Sequence, residues 1–192
     1  MAPRTVPKQF HPADHGLVHA YLGDGKGKTT AAIGVAVRAA GHDWRVCFLQ
    51  FMKSSQWPSG ERRSLRKLGV EVEVLGEGFY KILGDRKPAE MHQAAAAKAL
   101  AMAREKIWSG QYRLVIMDEL GTAVEEKVLD KKAVEKLLRD HAKDKQAKEV
   151  NLIWTGHQKF GWMIKYADLV TEMKMIRHPY YQGIIATRGL DY

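Results

Sequence analysis

The sequence predicts an α/β domain in which a mostly parallel central sheet is flanked by helices. Three observations lead there. Short apolar runs alternate with longer amphipathic segments along most of the chain, the pattern of strands joined by crossover helices. A glycine-rich turn links the first apolar run to the first amphipathic segment. At 192 residues with 45% apolar side chains the chain supplies one core, so a single domain is expected.

Two prolines in the first seven positions, then His11-Pro12, leave residues 1–15 without periodicity. They read as a flexible N-terminal arm, and residues 16–192 as the domain. Residues 17–22 form the first expected strand, residues 29–40 a helix closed by Gly41, and residues 45–51 a second, buried strand. Residues 70–75 alternate apolar side chains with Glu and give a third strand. Residues 89–108, rich in Ala, Met and Leu, give a long helix; residues 114–117 are an apolar strand ending in Asp118-Glu119. Over residues 131–141, Val134, Leu137 and Leu138 share one helical face with charges opposite. Further strands are expected at 150–154, 167–173 and 183–187, and residues 143–149 read as a solvated helix end and loop. Ligands of such sheets bind at the carboxyl ends of the strands.

Lys and Arg number 31 against 22 Asp and Glu, a formal charge of +9 at pH 7. That excess suits an anionic partner; by itself it does not separate nucleotide phosphates from nucleic acid or an acidic membrane. The single cysteine, Cys47, excludes an internal disulfide and a Cys-based zinc site, and its neighbours Val46, Phe48 and Leu49 mark it as a buried small hydrophobe. No run of about 18 apolar residues and no secretory signal is present, so a cytoplasmic protein without a membrane partner is expected.

The strongest local signal is Gly23-Asp24-Gly25-Lys26-Gly27-Lys28-Thr29-Thr30, set between an expected strand and an expected helix. Glycines let backbone amides turn inward around an anion, and the helix N-terminus adds partial positive charge. Lys28 neutralises phosphate oxygens and the Thr29 hydroxyl can ligate Mg2+. A plain glycine-rich turn is the alternative. The ordinary loop of this kind places four residues between its first Gly and Gly-Lys-Ser/Thr, whereas counting back from Gly27 puts Leu22 at that first position. The loop is one residue short, which allows the triphosphate to lie differently from that of a hydrolytic NTPase.

The strand ending in Asp118-Glu119 is the expected second half of the site, since a carboxylate at a neighbouring strand end completes the magnesium shell of phosphate-loop proteins. Thr29, Asp118 and Glu119 are therefore the candidate metal residues; which acid ligates and which orients water or ligand is open at this point. Lys28, Thr29 and Glu119 are the expected catalytic set. Nothing resembling a Gly-x-Ser-x-Gly elbow, a kinase catalytic loop or a Cys nucleophile in a His-rich setting is present, so the co-substrate brings its own nucleophile. His157, after Thr155-Gly156 at a strand end, is a candidate contact or simply a polar loop residue.

Together these segments resemble the ATP:corrinoid adenosyltransferases with a phosphate-loop fold. The resemblance rests on residues 23–32, Gln50-Phe51-Met52-Lys53, Gly60-Glu61, Gly76-Glu77-Gly78-Phe79 and Met117-Asp118-Glu119-Leu120. It continues through Thr155-Gly156, residues 167–173, His178-Pro179 and Gly189-Leu190-Asp191-Tyr192, in the family's order. It implies the P-loop NTPase (RecA-like) fold and transfer of the 5′-deoxyadenosyl group of ATP to a reduced cob(I) corrinoid, with triphosphate leaving. Residues 23–30 and Arg38 are then the ATP contacts, although Arg38 also reads as an exposed helix cation. Phe79, Tyr80 and His157 are the corrinoid contacts. The chain departs from the family at Lys81, where better-known members have Trp, and at His157, where many have Arg. By analogy a homodimer, an arm folding over the neighbouring site and a flavoprotein reductant are expected.

Two rivals are weighed. A phosphate-loop kinase or NTPase of other specificity shares the loop, although a thymidine-kinase-like member would need a zinc-binding Cys set. A RecA-like nucleic-acid-binding ATPase uses the basic cluster Lys53, Arg62, Arg63, Arg66 and Lys67, but the chain is short for a second lobe, and the charges of 62–67 are spaced as on one solvated helix face. No nucleic-acid partner is expected.

Overall fold

The structure, a computed structural model, describes residues 7, 9–78, 80–81 and 84–192. Six strands form its sheet: β1 (Val18–Leu22), β2 (Val46–Gln50), β3 (Glu71–Val74), β4 (Leu114–Asp118), β5 (Asn151–Thr155) and β6 (Leu169–Glu172). Their order is β3-β2-β4-β5-β1-β6, and each neighbouring pair is parallel. Parallel neighbours require crossovers. These are α1 (Lys28–Ala40), α2 (Gly60–Lys67), α3 (Ala89–Trp108), α4 (Leu120–Glu125), α5 (Lys131–Lys143) and α6 (Gly161–Ile164).

The central strands are apolar on both faces because both faces are covered. On one side Cys47 and Leu49 of β2 and Val115 and Met117 of β4 pack with Ala96, Ala99 and Ala103 of α3 and Leu137 and Leu138 of α5. On the other, Val46, Phe48, Leu114 and Ile116 meet Ala32, Ala36 and Ala39 of α1 and Leu65 of α2. The alanines recur at helical spacing, so α1 and α3 lie close to the sheet. Cys47 is fully buried, and burial first of all pushes its thiol up to about 12, which keeps it inert. His141 is buried with Nε2 2.9 Å from the Val150 carbonyl, and burial holds its imidazole below the ordinary histidine range.

Three expectations are corrected. Residues 183–187 are not a strand: they follow a 3-10 turn at Pro179–Gln182 and run exposed, with Ile185 at 86%. Residues 143–149 are not wholly solvated, because Ala147 of the short turn Ala147–Glu149 is fully buried. The charges of α2 do not all face water either. Arg62 is 6% exposed; its Nε donates to Gln50 Oε1 at 2.7 Å and its Nη1 to the carbonyls of Ser54 and Trp57 at 3.0 Å. Carbonyl and amide oxygens thus meet its Nε and Nη1, while its Nη2 is buried with no hydrogen-bond partner among the described residues. Of the expected arm, residues 1–6 and Lys8 lie outside the described residues; among the described ones, Gly16 N ties the chain to the domain by donating to Lys148 O at 2.7 Å.

Candidate functional site

The turn between β1 and α1 stands at the carboxyl end of the sheet, between β5 and β6. Its backbone is fixed on both sides. Gly23 N donates to the His157 carbonyl at 3.0 Å, Gly25 N to the Met173 carbonyl at 2.8 Å, and Met173 N back to Leu22 O at 2.7 Å. Gly27 caps α1 with φ 115°, a backbone that side-chain-bearing residues rarely adopt. Without that reversal the amides of 28–30 would not open toward the turn's concave side.

Lys28 is the first residue of α1 and is 8% exposed. Its Nζ donates to the Gly25 carbonyl at 2.8 Å, which bends the ammonium over the loop. Burial lowers its pKa, against the opposing pull of Glu119, Asp24 and Asp118. Thr29, next along, donates its hydroxyl to Asp118 Oδ1 at 2.9 Å. The same oxygen accepts from Thr155 Oγ1 at 2.9 Å, and Thr155 Oγ1 in turn accepts from Glu119 N at 2.8 Å. Asp118 is fully buried, and among the described residues its Oδ2 accepts no hydrogen bond. Lys53 Nζ stands 3.2 Å from that Oδ2 and 3.7 Å from Glu61 Oε1. Burial works against the Lys53 charge, but Asp118, Glu61 and Glu119 outweigh it and hold its pKa above the usual value. Glu119 takes a left-handed backbone, φ 65°, as the cap of α4, and Thr122 Oγ1 donates to its Oε2 at 2.5 Å.

Lys28, Thr29, Lys53, Glu61 and Glu119 line one cleft of about 520 Å³, walled also by Lys26, Gly27, Thr30, Ile33 and the segment 189–192, with Asp118 and Thr155 buried behind its wall. The last segment crosses the mouth: Asp191 pairs with Lys26, and the Tyr192 ring meets Trp57 edge-on at 6.3 Å. Thr29 and Asp118 offer hard oxygen donors of the kind Mg2+ selects. Among the described residues no cluster of three or more His, Cys, Asp or Glu could hold a metal, so any metal here shares its shell with phosphate and water.

Residues 14–192 match the model of the family described as ATP:corrinoid adenosyltransferase BtuR/CobO/CobP. The chain belongs to this family. It is 32% identical over 179 residues to the corrinoid adenosyltransferase of Escherichia coli, which covers 93% of this chain and 87% of that protein. It is 31% identical over 179 residues, with the same coverage, to the corrinoid adenosyltransferase CobA of Salmonella typhimurium. The Pseudomonas aeruginosa corrinoid adenosyltransferase is 32% identical over 183 residues, covering 93% and 85%.

Within this adenosyltransferase, the residues expected for ATP divide by position. Lys26 to Thr30 and Glu119 are brought together in the cleft, with Asp118 hydrogen-bonded to Thr29 behind them; Gly23 lines a separate hollow beside His157. Asp24 faces the other flank of the turn, its Oδ1 accepting from Met175 N at 3.3 Å. Arg38 does not join them: it is exposed in the last turn of α1, about 15 Å along the helix from Lys28 at 1.5 Å per residue. On the corrinoid side, Phe79 lies outside the described residues. Tyr80 is half-buried beside the core, its ring centroid 4.8 Å from that of His92, with the Lys81 ammonium 4.6 Å from its own. His157 is exposed, Nδ1 3.8 Å from Glu125 Oε2, and no described contact joins it to Tyr80. Sequence reasoning missed Lys53 and Thr155 as site residues. Both sit inside segments that carry the family resemblance, yet neither belongs to a phosphate-loop motif.

Proposed function

We propose that the protein transfers the 5′-deoxyadenosyl group of ATP to the cobalt of a reduced corrinoid, in cobalamin biosynthesis or salvage, and releases inorganic triphosphate. The observation that carries this reading is the cleft of this adenosyltransferase, where Lys26, Lys28 and the α1 N-terminus converge on a loop one residue shorter than usual. Cobalt(I) donates its electron pair to C5′, the C5′–O bond breaks, and the departing triphosphate oxygen keeps the bonding pair. No protein base is required. The chain instead holds C5′ in line and stabilises charge on the leaving group, with Lys28, Lys26 and the amides of 26–30 as its donors, the Gly25 amide being engaged by the Met173 carbonyl.

The oxygen donors of Thr29 and Asp118 suit Mg2+: Asp118 Oδ1 meets the Thr29 hydroxyl, and its Oδ2, 3.2 Å from Lys53 Nζ, accepts no hydrogen bond among the described residues. Asp118 and Thr29 would hold it, with Glu119 beside them toward water or phosphate. When bound it neutralises charge on the triphosphate. Phe79, Tyr80 and His157 are the proposed corrinoid contacts, an acidic flavoprotein the proposed reductant, and a reducing cytoplasm the proposed setting.

The decisive experiment incubates the protein with ATP, Mg2+ and chemically reduced cob(I)alamin or cobinamide, following the corrinoid absorbance and the phosphate products. A cobalt–carbon bond formed with stoichiometric triphosphate is expected; ADP and single phosphate without that bond would return the site to a kinase or NTPase.

A homodimer is part of the proposal, with residues 1–15 as an arm across the partner. Edge strand β6 and the segment after it expose Leu169, Val170, Ile176, Tyr181 and Ile185, a patch that a partner copy would cover. Sedimentation should give twice the chain mass, and V170E combined with I185E should give monomers; a monomeric unaltered protein removes the dimer.

A further inference from the structure

Lys53 has no place in the phosphate-loop motif, yet its position is built with care. β2 and β4 are neighbours in register, Gln50 beside Asp118, and just beyond the pair Phe51 N donates to the Asp118 carbonyl at 3.0 Å. The segment leaving β2 is therefore pinned to the end of β4. Arg62 fixes its continuation from inside, through Gln50, Ser54 and Trp57. The result holds the Lys53 ammonium between two acids, Asp118 and Glu61, in the wall of the cleft that also contains Lys26, Lys28 and Thr29.

A buried carboxylate without a counter-charge is costly. Asp118 Oδ1 has two hydroxyl donors; its Oδ2 has the nearby Lys53 charge and, among the described residues, no hydrogen bond. Lys53 thus stands at the oxygen that a divalent cation would use. Two cations cannot occupy that oxygen together at this distance without strong repulsion. The displaced ammonium keeps Glu61, 3.7 Å away, as one partner, and a triphosphate filling the cleft supplies a second, more highly charged anion.

We propose that Lys53 is an exchanging charge: it neutralises Asp118 in the nucleotide-free protein, then yields that oxygen to the metal and turns to the triphosphate, adding a further cation to the leaving group. The inference rests on the function proposed above and assigns to that site a residue that serves both of its states. It distinguishes Lys53 from Lys28, which contacts phosphate whether or not metal is present, and from a purely structural ion pair, which would not move.

The test is titration calorimetry with tripolyphosphate, with and without Mg2+, on the full chain and on K53M. K53Q is the second variant, since its amide can donate to Asp118 Oδ2 without charge and so preserves folding. Both variants should bind tripolyphosphate about tenfold or more weakly than the parent when Mg2+ is present, and within about twofold of it when Mg2+ is absent. Electron paramagnetic resonance with Mn2+ alone should show tighter metal binding in both, because the competitor on Asp118 is gone. Equal losses with and without Mg2+ would make Lys53 a fixed phosphate contact and overturn the exchange; unchanged affinity in both conditions would make it structural and overturn it too. A parent protein that binds no tripolyphosphate at all would instead remove the proposed function itself.

Discussion

Replacing Lys28 with alanine is expected to lower the rate of cobalt–carbon bond formation by at least about a hundredfold while leaving the fold intact. The ammonium lies on the concave side of the turn, bent over the loop by its bond to the Gly25 carbonyl, and among the described residues no other lysine donates to that loop. Lys26 is about half exposed and engaged by Asp191; Lys53 is held against Asp118. Neither takes over the position when Lys28 is lost. Stability should hardly change, because the substitution removes a charge that burial already disfavours and places a strong helix former in the first position of α1. Single-turnover kinetics with reduced corrinoid reads the rate and thermal melting reads the fold. Lys26→Ala serves as a comparison and should lose less. A K28A protein that turns over normally would show that the triphosphate binds elsewhere.

Gly156→Ala is expected to cost about 3 kcal/mol and to lower the melting temperature by roughly 6–12 °C. A Cβ at this position would lie 2.7 Å from Gly121 Cα and 3.1 Å from its carbonyl carbon; from the other side, a Cβ on Gly121 would lie 3.0 Å from Gly156 Cα. Both obstacles are backbone, so no side chain can rotate away. The crossing lies where β5 leaves the sheet beside α4. Thr155, which bridges Asp118 and Glu119, is the preceding residue, so relief of the collision moves the acid corner as well. Activity should therefore fall along with stability. Differential scanning calorimetry on the purified variant decides it: a melting temperature within about 1 °C of the parent would mean the two backbones separate without cost.

The architecture was largely written in local patterns. Apolar runs located β1, β2, β4 and β5 because central parallel strands bury both faces, alternation with Glu located β3, and residues 167–173 contain the exposed edge strand β6; the Ala-rich periodicity located α1 and α3. Residues 183–187 are the exception: a short apolar run reads the same whether or not a sheet edge receives it. The helix α4 was passed over because its apolar residues are too few to display a period. In the site, the loop and the acid pair were legible as motifs. Arg62 was not, since the spacing of charges along a helix cannot reveal which of them meets carbonyl oxygens inside. Lys53 and Thr155 were hidden for a related reason. Their roles depend on β2, β4 and β5 lying side by side, an arrangement fixed by strand order, which composition and spacing do not contain.

Strand order also has a consequence for how the protein is made. β1 has only β5 and β6 as neighbours, and its first amide is accepted by Asp168, 150 residues further along. A ribosome thus releases the glycine-rich turn early, long before the Met173 carbonyl that steadies it has been synthesised. Until then β1 is an apolar strand with both edges open, the condition in which nascent chains pair wrongly or recruit chaperones. The triphosphate recognition proposed for this turn would consequently be among the last properties acquired during translation, although the residues assigned to it are among the first to emerge.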